Sequence, residues 1–412
     1  MSTSAACTER IVWPRISTPV VRNSGEVVQV AYRKFKAVLV AAATMSSMVA
    51  VGISASSTSA GASSVNWAHV KTLTKSGPTS MTALIAAAKK EGKLNVVALP
   101  NNWANYGEII TSFAKKYHIK VNSENPEGSS AEEISAMQTD KGRSDDPDVI
   151  DVGTNYAAQA ATSGELAPYK VATWNQIPAA LKDANGDWYD DYGGYVAIGC
   201  NSAAVTCPTS FAQMESATAS SGYKIALNNS PTTAAAALAG VLAASIASGG
   251  SLSNVAPGVT YFATLAKNGT FVPVIGNATT VESGATNILI WWDYLQASGI
   301  SPDLGSWKII VPSDAVVGEY YTQAINVAAP DPAAARLWEE YLYSTTGQNL
   351  WLKGLARPVE LASMESAGTA NKAWVAKLPA VPAGATLNFP TTAELTQAST
   401  TVDNTWATQV GG

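Results

Sequence analysis

The sequence predicts an α/β protein in which helices cover mostly parallel sheets, and two observations carry this prediction. Short apolar runs typical of buried strands alternate with stretches of helical periodicity. The chain has 412 residues, 47% hydrophobic and 14% charged, which is enough for a large core but too long for one compact domain. Because a β-α-β-α-β order favours parallel strands joined by crossover helices, we expect a two-domain α/β chain.

The first region shows this alternation most clearly. Its predicted elements are helices over 82–91, 106–117 and 132–141, and strands over 94–99, 119–122 and 149–152. Gly92 is placed to end the first helix, since glycine readily adopts the left-handed conformation found after a helix.

The second region continues the pattern with weaker signals. Its predicted strands cover 195–200, 224–227, 287–292, 308–311 and 321–327, and its predicted helices cover 233–248 and 333–342. From Pro379 onward the chain is rich in Pro and Thr, and its pattern assigns no elements.

The first sixty residues predict an export signal. A basic patch precedes an uncharged apolar run over 37–53, and an A-x-A-like cleavage motif follows; these features comprise Arg33, Lys34, Lys36, Ala60, Gly61 and Ala62. We expect a signal peptide and its basic region over 1–62, with a start near Tyr32 as an alternative, then a linker over 63–79. A retained membrane anchor stays open, because the apolar run of about 17 residues approaches the length of a span.

Cysteine usage agrees with export. Cys7 lies upstream of the predicted cleavage, which leaves Cys200 and Cys207. In an oxidising compartment these two are predicted to form a disulfide. A metal pair is the alternative, but neither His69 nor His118 is near them in sequence, and two cysteines alone do not make a zinc site.

Charge and motif content exclude some classes of function. The net charge is −5, and the chain contains no basic stripe with interleaved aromatics, so nucleic acid is not an expected partner. The sequence lacks the common nucleophile, P-loop, zinc-protease and dinucleotide motifs, and it has only two His. Twelve Trp and fifteen Tyr suit a ligand cleft. We therefore expect a binding protein without a cofactor rather than an enzyme.

Three segments resemble the extracellular solute-binding proteins of ABC importers, in the group that binds polyamines, ferric iron or thiamine. They are AAKKEGKLNVVALP with YGEIITSFAKKY, PDVIDVGTNYAAQAATSGELAPY, and VPSDAVVGEYYTQAINVAAPDPAAARLWEEYLYSTTGQNLWLKGLARP. The resemblance covers most of residues 80–358, and the last segment is its most specific part.

This resemblance implies the type II periplasmic-binding-protein fold, with two α/β lobes joined by crossing hinge strands. Lobe one is expected over 80–194 plus 319–361, and lobe two over 195–318 plus 362–412. The crossings are expected near 193–200 and 313–320, with a third near Leu387. The resemblance further implies a monomer that captures a small solute by hinge closure and presents it to the permease of an ABC importer.

Ligands of open α/β sheets bind beyond the carboxyl ends of strands, which selects the candidate residues. They are Asn102, Trp103, Tyr106, Thr154, Asn155, Tyr156, Tyr192, Tyr195, Ser230, Thr232, Trp292, Asp293 and Tyr320. Trp103 and Tyr106 are three apart and would share a helical face. Plain packing of Trp103 and plain helix capping by Thr154 stay open. The helix start after 228–232 could instead bind an anion through free N–H groups.

Trp292 and Asp293 form the sharpest candidate. Alternation sends Trp291 and Trp292 to opposite faces of a strand, so only one of them would meet the ligand. An aromatic face beside a carboxylate at one strand end suits an ammonium group. The sequence therefore predicts a polyamine-like or other organic cation as ligand.

Two alternatives remain. Iron binders of the resembled group coordinate ferric ion through neighbouring tyrosines, which would make Tyr320 and Tyr321 metal ligands, although strand alternation separates the two rings. A secreted hydrolase on a similar two-lobed scaffold is the other alternative, and the missing catalytic motifs argue against it.

Overall fold

A computed structural model describes residues 65–411. The predicted signal peptide, its apolar run, its cleavage motif and Cys7 lie outside these described residues. Among the described helices, none combines the length and the apolar character that a bilayer crossing requires.

The described chain begins with strands and helices in regular alternation. As far as the first long strand they are α1 (Met81–Glu91), β1 (Lys93–Val97), α2 (Tyr106–Tyr117), β2 (Lys120–Glu124), α3 (Ser130–Thr139), β3 (Val149–Gly153), α4 (Thr154–Thr162) and β4 (Tyr189–Asn201).

The remaining elements are mostly helical. They are α5 (Phe211–Glu215), β5 (Ile225–Leu227), α6 (Ala235–Ala247), α7 (Ala256–Lys267), α8 (Ala278–Glu282), β6 (Ile288–Trp292), α9 (Asp293–Gly299), β7 (Trp307–Ile310), β8 (Gly318–Ile325), α10 (Pro332–Leu342), α11 (Thr345–Lys353), β9 (Arg357–Pro358), α12 (Leu361–Ala367), α13 (Lys372–Val375) and α14 (Thr392–Gln409). Short 3-10 helices cover Trp67–His69, Trp174–Gln176, Ala179–Leu181 and Ala219–Ser221.

Local sequence explains several helix ends. The Ser80 side chain accepts a hydrogen bond from the Ala83 amide at the start of α1, and Gly92 ends this helix in the left-handed conformation, as predicted. Thr391 and Glu394 form a capping box that starts α14 within the segment whose pattern assigned no elements. Proline thus marks the loop before this helix rather than an unstructured tail.

The described strands form a sheet in the order β2-β1-β3-β8-β4-β6-β5, with β7 and β9 also paired to β4. Parallel pairing occurs in two places, where β1 lies between β2 and β3 and where β5 lies beside β6. The central strands β8 and β4 pair antiparallel with each other and with their neighbours. The sheet thus has two halves, each with a parallel part, joined through β4 and β8.

Strand β4 connects the halves. Its first part pairs with β8 and β9, and its second part pairs with β6 and β7. It includes the range predicted for the first crossing, and β8 begins where the return crossing was predicted. Val317 pairs with Asn388, next to Leu387 where a third connection is expected.

The segment 65–79, predicted as linker, instead packs against the fold. Trp67 is buried in the main apolar core. The Arg336 guanidinium on α10 donates hydrogen bonds to the carbonyl oxygens of Ala68 and Val70. The sequence prediction missed this because short 3-10 structure carries no periodicity.

The helices after residue 361 do not all pack with the elements of predicted lobe two. Although 362–412 is expected in lobe two, Ser363 on α12 bonds to Gln176, and Asn349 on α11 bonds to the backbone of Thr369 and Asn371. These contacts keep α12 and α13 with the elements of predicted lobe one. The last helix, α14, packs against α7 and α6 and also against α4.

Cys200 and Cys207 form a disulfide, which confirms the sequence prediction. Their Cα atoms are 5.7 Å apart, and the bridge closes the loop that follows β4. Neither cysteine is available to a metal ion in this state.

Candidate functional site

The loop between β1 and α2 brings an aromatic residue to the junction of the two sheet halves. Trp103 makes edge contacts with Trp291 on β6 and with Tyr321 on β8, both with ring centroids 5.7 Å apart. Its indole N–H donates a 2.8 Å hydrogen bond to the phenol oxygen of Tyr192. Trp103 lies in the turn before α2 rather than within the helix, so it does not share a helical face with Tyr106.

A buried carboxyl group organises the tyrosines below this aromatic contact. The phenol groups of Tyr106 and Tyr192 both donate to Asp151 Oδ2, and Gln323 donates to the Tyr106 oxygen at 3.0 Å. Burial raises the pKa of Asp151 to about 7, although the two phenol hydrogen bonds lower it in part. Tyr106 and Tyr192 therefore form the packed floor of this junction, where Tyr192 also stacks on Trp351 at 4.2 Å.

Asp293 is fully engaged by protein groups. Its Oδ1 accepts the amides of Tyr195 and Tyr294 at 3.0 and 2.8 Å, and its Oδ2 forms a 2.7 Å ion pair with Arg357. The same guanidinium lies over the Tyr195 ring, 4.7 Å from its centroid. Burial raises the pKa of Asp293, while Arg357 and the amides lower it. A carboxylate with this set of partners holds β4, α9 and β9 together.

Glu319 on β8 has the opposite environment. It is 5% exposed, yet neither carboxyl oxygen has a hydrogen-bond partner among residues 65–411. Burial, together with the smaller effect of the Asp190 charge, raises the pKa of Glu319 to about 8. Burial raises the pKa of Tyr156 on α4 to about 12 and that of Tyr321 on β8 well above its usual range, and the charge of Glu319 adds a smaller increase to both.

The Thr154 side chain forms hydrogen bonds within the protein core. Its hydroxyl lies 2.9 Å from that of Thr322 and donates to Asp190 Oδ1, while Thr322 also donates to Asp190. Gly153, not Thr154, precedes the first turn of α4 as its cap residue. Burial raises the pKa of Asp190 to about 7 against these hydroxyl hydrogen bonds. The three groups join α4 to β4 and β8.

Asn155 is the least satisfied of the predicted residues. It is 1% exposed, and within the described chain neither its amide oxygen nor its amide nitrogen has a hydrogen-bond partner. A Cβ atom on neighbouring Gly153 would lie 2.5 Å from the Ala235 Cβ and 3.2 Å from the Asn155 Oδ1. Only glycine fits at 153, and Asn155 lies where α4 meets the first residue of α6.

Other predicted residues lie farther from these groups. Asn102 is exposed in its turn. Ser230 and Thr232 are half-buried and bond to each other at 2.8 Å, in a turn that precedes α6 by several residues. They neither cap α6 nor contact the aromatic cluster through any hydrogen bond that the described chain shows.

Tyr320 and Tyr321 lie among different neighbours. The Tyr320 ring stacks on Phe389 at 6.1 Å, whereas Tyr321 packs against Trp103 and Tyr192 and accepts a 3.3 Å hydrogen bond from Trp292. Burial raises the pKa of Tyr320 to about 12 and that of Tyr321 well above its usual range, which disfavours phenolates. This geometry separates the two rings, as alternation predicts, and opposes a shared ferric ion.

Metal-ligating side chains give no further support to a metal site. Among residues 65–411, no group of three or more His, Cys, Asp or Glu side chains is arranged to hold a metal ion.

Sequence reasoning missed three residues of this junction. Trp291, rather than Trp292, contacts Trp103, and its buried indole N–H has no partner among residues 65–411. Arg357 supplies the partner of Asp293, and Glu319 supplies the unpaired carboxyl group. The one available signal was an acidic residue directly before Tyr320 at the predicted crossing.

Comparison with solved structures identifies the fold. The chain is similar to the fructose-6-phosphate-bound periplasmic binding protein AfuA from Actinobacillus pleuropneumoniae, with 16% identity and a TM-score of 0.61 over 77% of this chain and 98% of the other. It is also similar to iron-bound HitA from Pseudomonas aeruginosa, with 18% identity and a TM-score of 0.54 over 76% and 97%.

A third similar structure is a putative spermidine/putrescine ABC transporter protein from Listeria monocytogenes, with 10% identity and a TM-score of 0.57 over 76% and 99% of the two chains. At these identities the similarity establishes the type II periplasmic-binding-protein fold and leaves the ligand open.

The search of curated protein sequences found no match. The family model for bacterial extracellular solute-binding proteins matches residues 144–398, which is more than half of the chain. This match spans both halves of the sheet and includes β4, β8 and the residues around Glu319 and Asp293. The chain therefore belongs to the bacterial extracellular solute-binding proteins, the ligand-capturing components of ABC transporters rather than enzymes.

Proposed function

We propose that this protein captures a small amine-bearing organic cation between the two halves of its sheet and delivers it to the permease of an ABC importer. The observation that carries this proposal is the Glu319 carboxyl group, which is buried and lacks hydrogen-bond partners among residues 65–411. An unpaired buried carboxylate is costly, and an ammonium group that binds beside it removes this cost.

The aromatic residues near this carboxyl group support the same ligand class. Trp291 and Tyr321 both contact Trp103 at the junction, and Glu319 lies two residues before Tyr321 on β8. Ring faces attract ammonium groups, with an energy of about 0.5–2 kcal/mol. A carboxylate with adjacent rings thus combines the two attractions that an alkyl ammonium uses.

The proposal moves the ligand's counter-ion from Asp293 to Glu319. Asp293 already has Arg357 and two backbone amides as partners, so an ammonium group would have to displace a buried ion pair. Glu319 requires no such exchange.

The positions of the aromatic residues in the two halves of the sheet support a hinge-closure mechanism. Trp103 belongs to the half that contains β1, and Trp291 belongs to β6 in the other half. Opening about β4 and β8 would separate these two rings and expose Glu319, and a bound ligand would favour the closed state. We further propose that the protein is exported through its N-terminal segment and acts as a monomer.

A ligand panel tests the proposal. Because a ligand that binds only the native state raises the melting temperature, linear diamines and polyamines should raise that of the purified protein. Neutral sugars and ferric citrate should not. Isothermal titration then measures the affinity of the best amine.

The matched variants are Glu319→Gln and Glu340→Gln. Glu340 is a buried carboxyl group on α10 that is already bonded to Tyr169 and to the Ala172 amide. Glu319→Gln should weaken amine binding by about 1.5–3 kcal/mol, the value of a hydrogen bond to a charged group, and Glu340→Gln should leave the affinity unchanged. Equal affinities in both variants, or a panel in which no amine binds, would refute the proposal.

A further inference from the structure

The amino end of α6 lacks the partners that a buried helix end requires. Its cap residue is Ala234, whose side chain cannot accept a hydrogen bond, and Leu238 is the first residue to donate to it, through the Ala234 carbonyl oxygen. The N–H groups of the first turn therefore have no intrahelical acceptor. Ala235, Ala236 and Ala237 are all buried, so solvent does not readily replace a cap.

Asn155 is an independent observation at the same place. Asn155 is only 1% exposed, and neither polar atom of its side-chain amide has a hydrogen-bond partner among residues 65–411. Its Oδ1 and the Ala235 Cβ both border Gly153, which lies between them. An amide side chain that can donate two hydrogen bonds thus lies beside the uncapped start of α6.

The electrostatics of this place favour a negative charge. Helix α4 also begins without a side-chain cap, at Gly153, so two helix amino ends meet here. Each carries a partial positive charge and unpaired N–H donors, the arrangement that binds carboxylate and phosphate groups. Among residues 65–411, no acidic side chain forms a hydrogen bond to the first turn of α6.

Glu319 lies beside this positive region in the strand pairing. Strands β3 and β8 run antiparallel and pair Gly153 with Tyr321, so Glu319, two residues before Tyr321, lies beside the start of α4 that carries Asn155. The junction therefore offers a negative group and, close to it in the fold, a set of donors for an anion.

We infer that the ligand is zwitterionic, with an amine at Glu319 and an acidic group at the α6 amino end and Asn155. This inference rests on the proposed function, because it keeps the amine at Glu319. The ligand class is that of amino acids and aminoalkyl phosphonates, whose acidic group is a carboxylate or a phosphonate. The amide of Asn155 and the first-turn N–H groups of α6 donate to the acidic oxygens.

Ligands of matched length test the inference in the purified protein by isothermal titration. The set is 1,4-diaminobutane, 4-aminobutyrate, 3-aminopropylphosphonate and succinate. Both zwitterions should bind at least tenfold more tightly than the diamine, and the ratio of the two zwitterions distinguishes a carboxylate from a phosphonate preference.

A negative charge introduced at Asn155 provides a second test. Asn155→Asp keeps the shape of the side chain and places a carboxylate at the α6 amino end, so it should weaken zwitterion binding at least tenfold and not weaken diamine binding. Asn185→Asp is the control, since Asn185 lies in an exposed turn. Ala235→Pro removes one first-turn N–H at a position where helices accept proline, and Thr392→Pro makes the same change at the start of α14.

The outcomes distinguish a failure of the zwitterion inference from a failure of the proposed amine site. If the diamine binds as tightly as the zwitterions, or if Asn155→Asp affects both ligands equally, the inference is wrong and the proposed amine site stands. If succinate binds and neither amine class does, both are wrong. Absence of binding by every member of the set also overturns the inference.

Discussion

Asp293 and Glu319 are both buried carboxyl groups at the junction of the sheet halves, but only Asp293 has hydrogen-bond partners within the described chain. Asp293 follows β6 and is held by Arg357 and two amides, whereas Glu319 lies on β8 with both oxygens unpaired within the described chain. Both are at most 5% exposed. Burial alone therefore does not distinguish a carboxylate that stabilises the fold from one that serves a ligand; the partners do.

This difference predicts opposite responses to mutation. Removal of a paired buried charge leaves its partner uncompensated, while removal of an unpaired one relieves a cost.

The largest effect is expected for Asp293→Asn. The change leaves the Arg357 guanidinium, whose side chain is only 12% exposed, without its ion-pair partner, so the free energy of unfolding should fall by about 3–5 kcal/mol. Denaturant unfolding measures this loss, and Asp303→Asn, in an exposed turn, is the control. A loss below about 1 kcal/mol would show that the pair does not hold the junction.

The pH dependence of binding should be the next largest effect. An ammonium group prefers the ionised form of Glu319, whose pKa is raised to about 8 without ligand. Amine affinity should therefore fall by up to tenfold for each pH unit below about 8, until the lower pKa of the bound state is reached. Calorimetric titrations with the amine at about four pH values between roughly pH 6 and pH 8.5 measure this dependence.

Burial also raises the pKa values of Asp190 and Asp151 to about 7, so the Glu319→Gln variant is needed as a reference. Its residual amine affinity should vary much less with pH. The same slope in both proteins would assign the titration to another carboxyl group.

Loss of an aromatic ring should have a moderate effect. Trp103→Leu removes the ring that contacts Trp291 and Tyr321, and it should weaken amine binding by about 0.5–2 kcal/mol. Trp374→Leu on α13 is the matched control, and calorimetric titration measures both. Unchanged affinity in Trp103→Leu would exclude this ring from the site.

The smallest expected effect concerns stability. Burial raises the pKa of Glu319 from 4.5 to about 8, so its contribution to stability is full below pH 4.5 and is lost as the pH rises to about 8. Glu319→Gln lacks this loss. Its melting temperature should therefore rise relative to the natural protein between pH 5 and pH 8, by a few degrees, in thermal scans. A parallel course of both proteins with pH would contradict the unpaired state of Glu319.

The sequence predicted the fold better than the site, and the reason is physical. Strands such as β1 and β3 are short, mostly apolar segments, and α1 is flanked by its own cap residues, so local patterns determine them. The 3-10 helix at Trp67 and the capping of α14 depend on contacts that periodicity does not contain.

The site depends on contacts between distant segments. Asp293 and Arg357 are 64 residues apart, and no local pattern shows that they pair. Strand alternation correctly separated Tyr320 from Tyr321, but it could not show whether Trp291 or Trp292 meets Trp103. Tyr106, Tyr192 and Tyr195 were predicted near the junction and do lie there, although their role in ligand binding stays a prediction.

A crystal structure of the protein with a bound amine tests the central claim most directly. The account predicts that the ammonium nitrogen lies about 2.7–2.9 Å from a Glu319 carboxyl oxygen, with the Asp293–Arg357 ion pair intact. An ammonium group bound to Asp293 in place of Arg357, or a ligand bound away from Glu319, would contradict it.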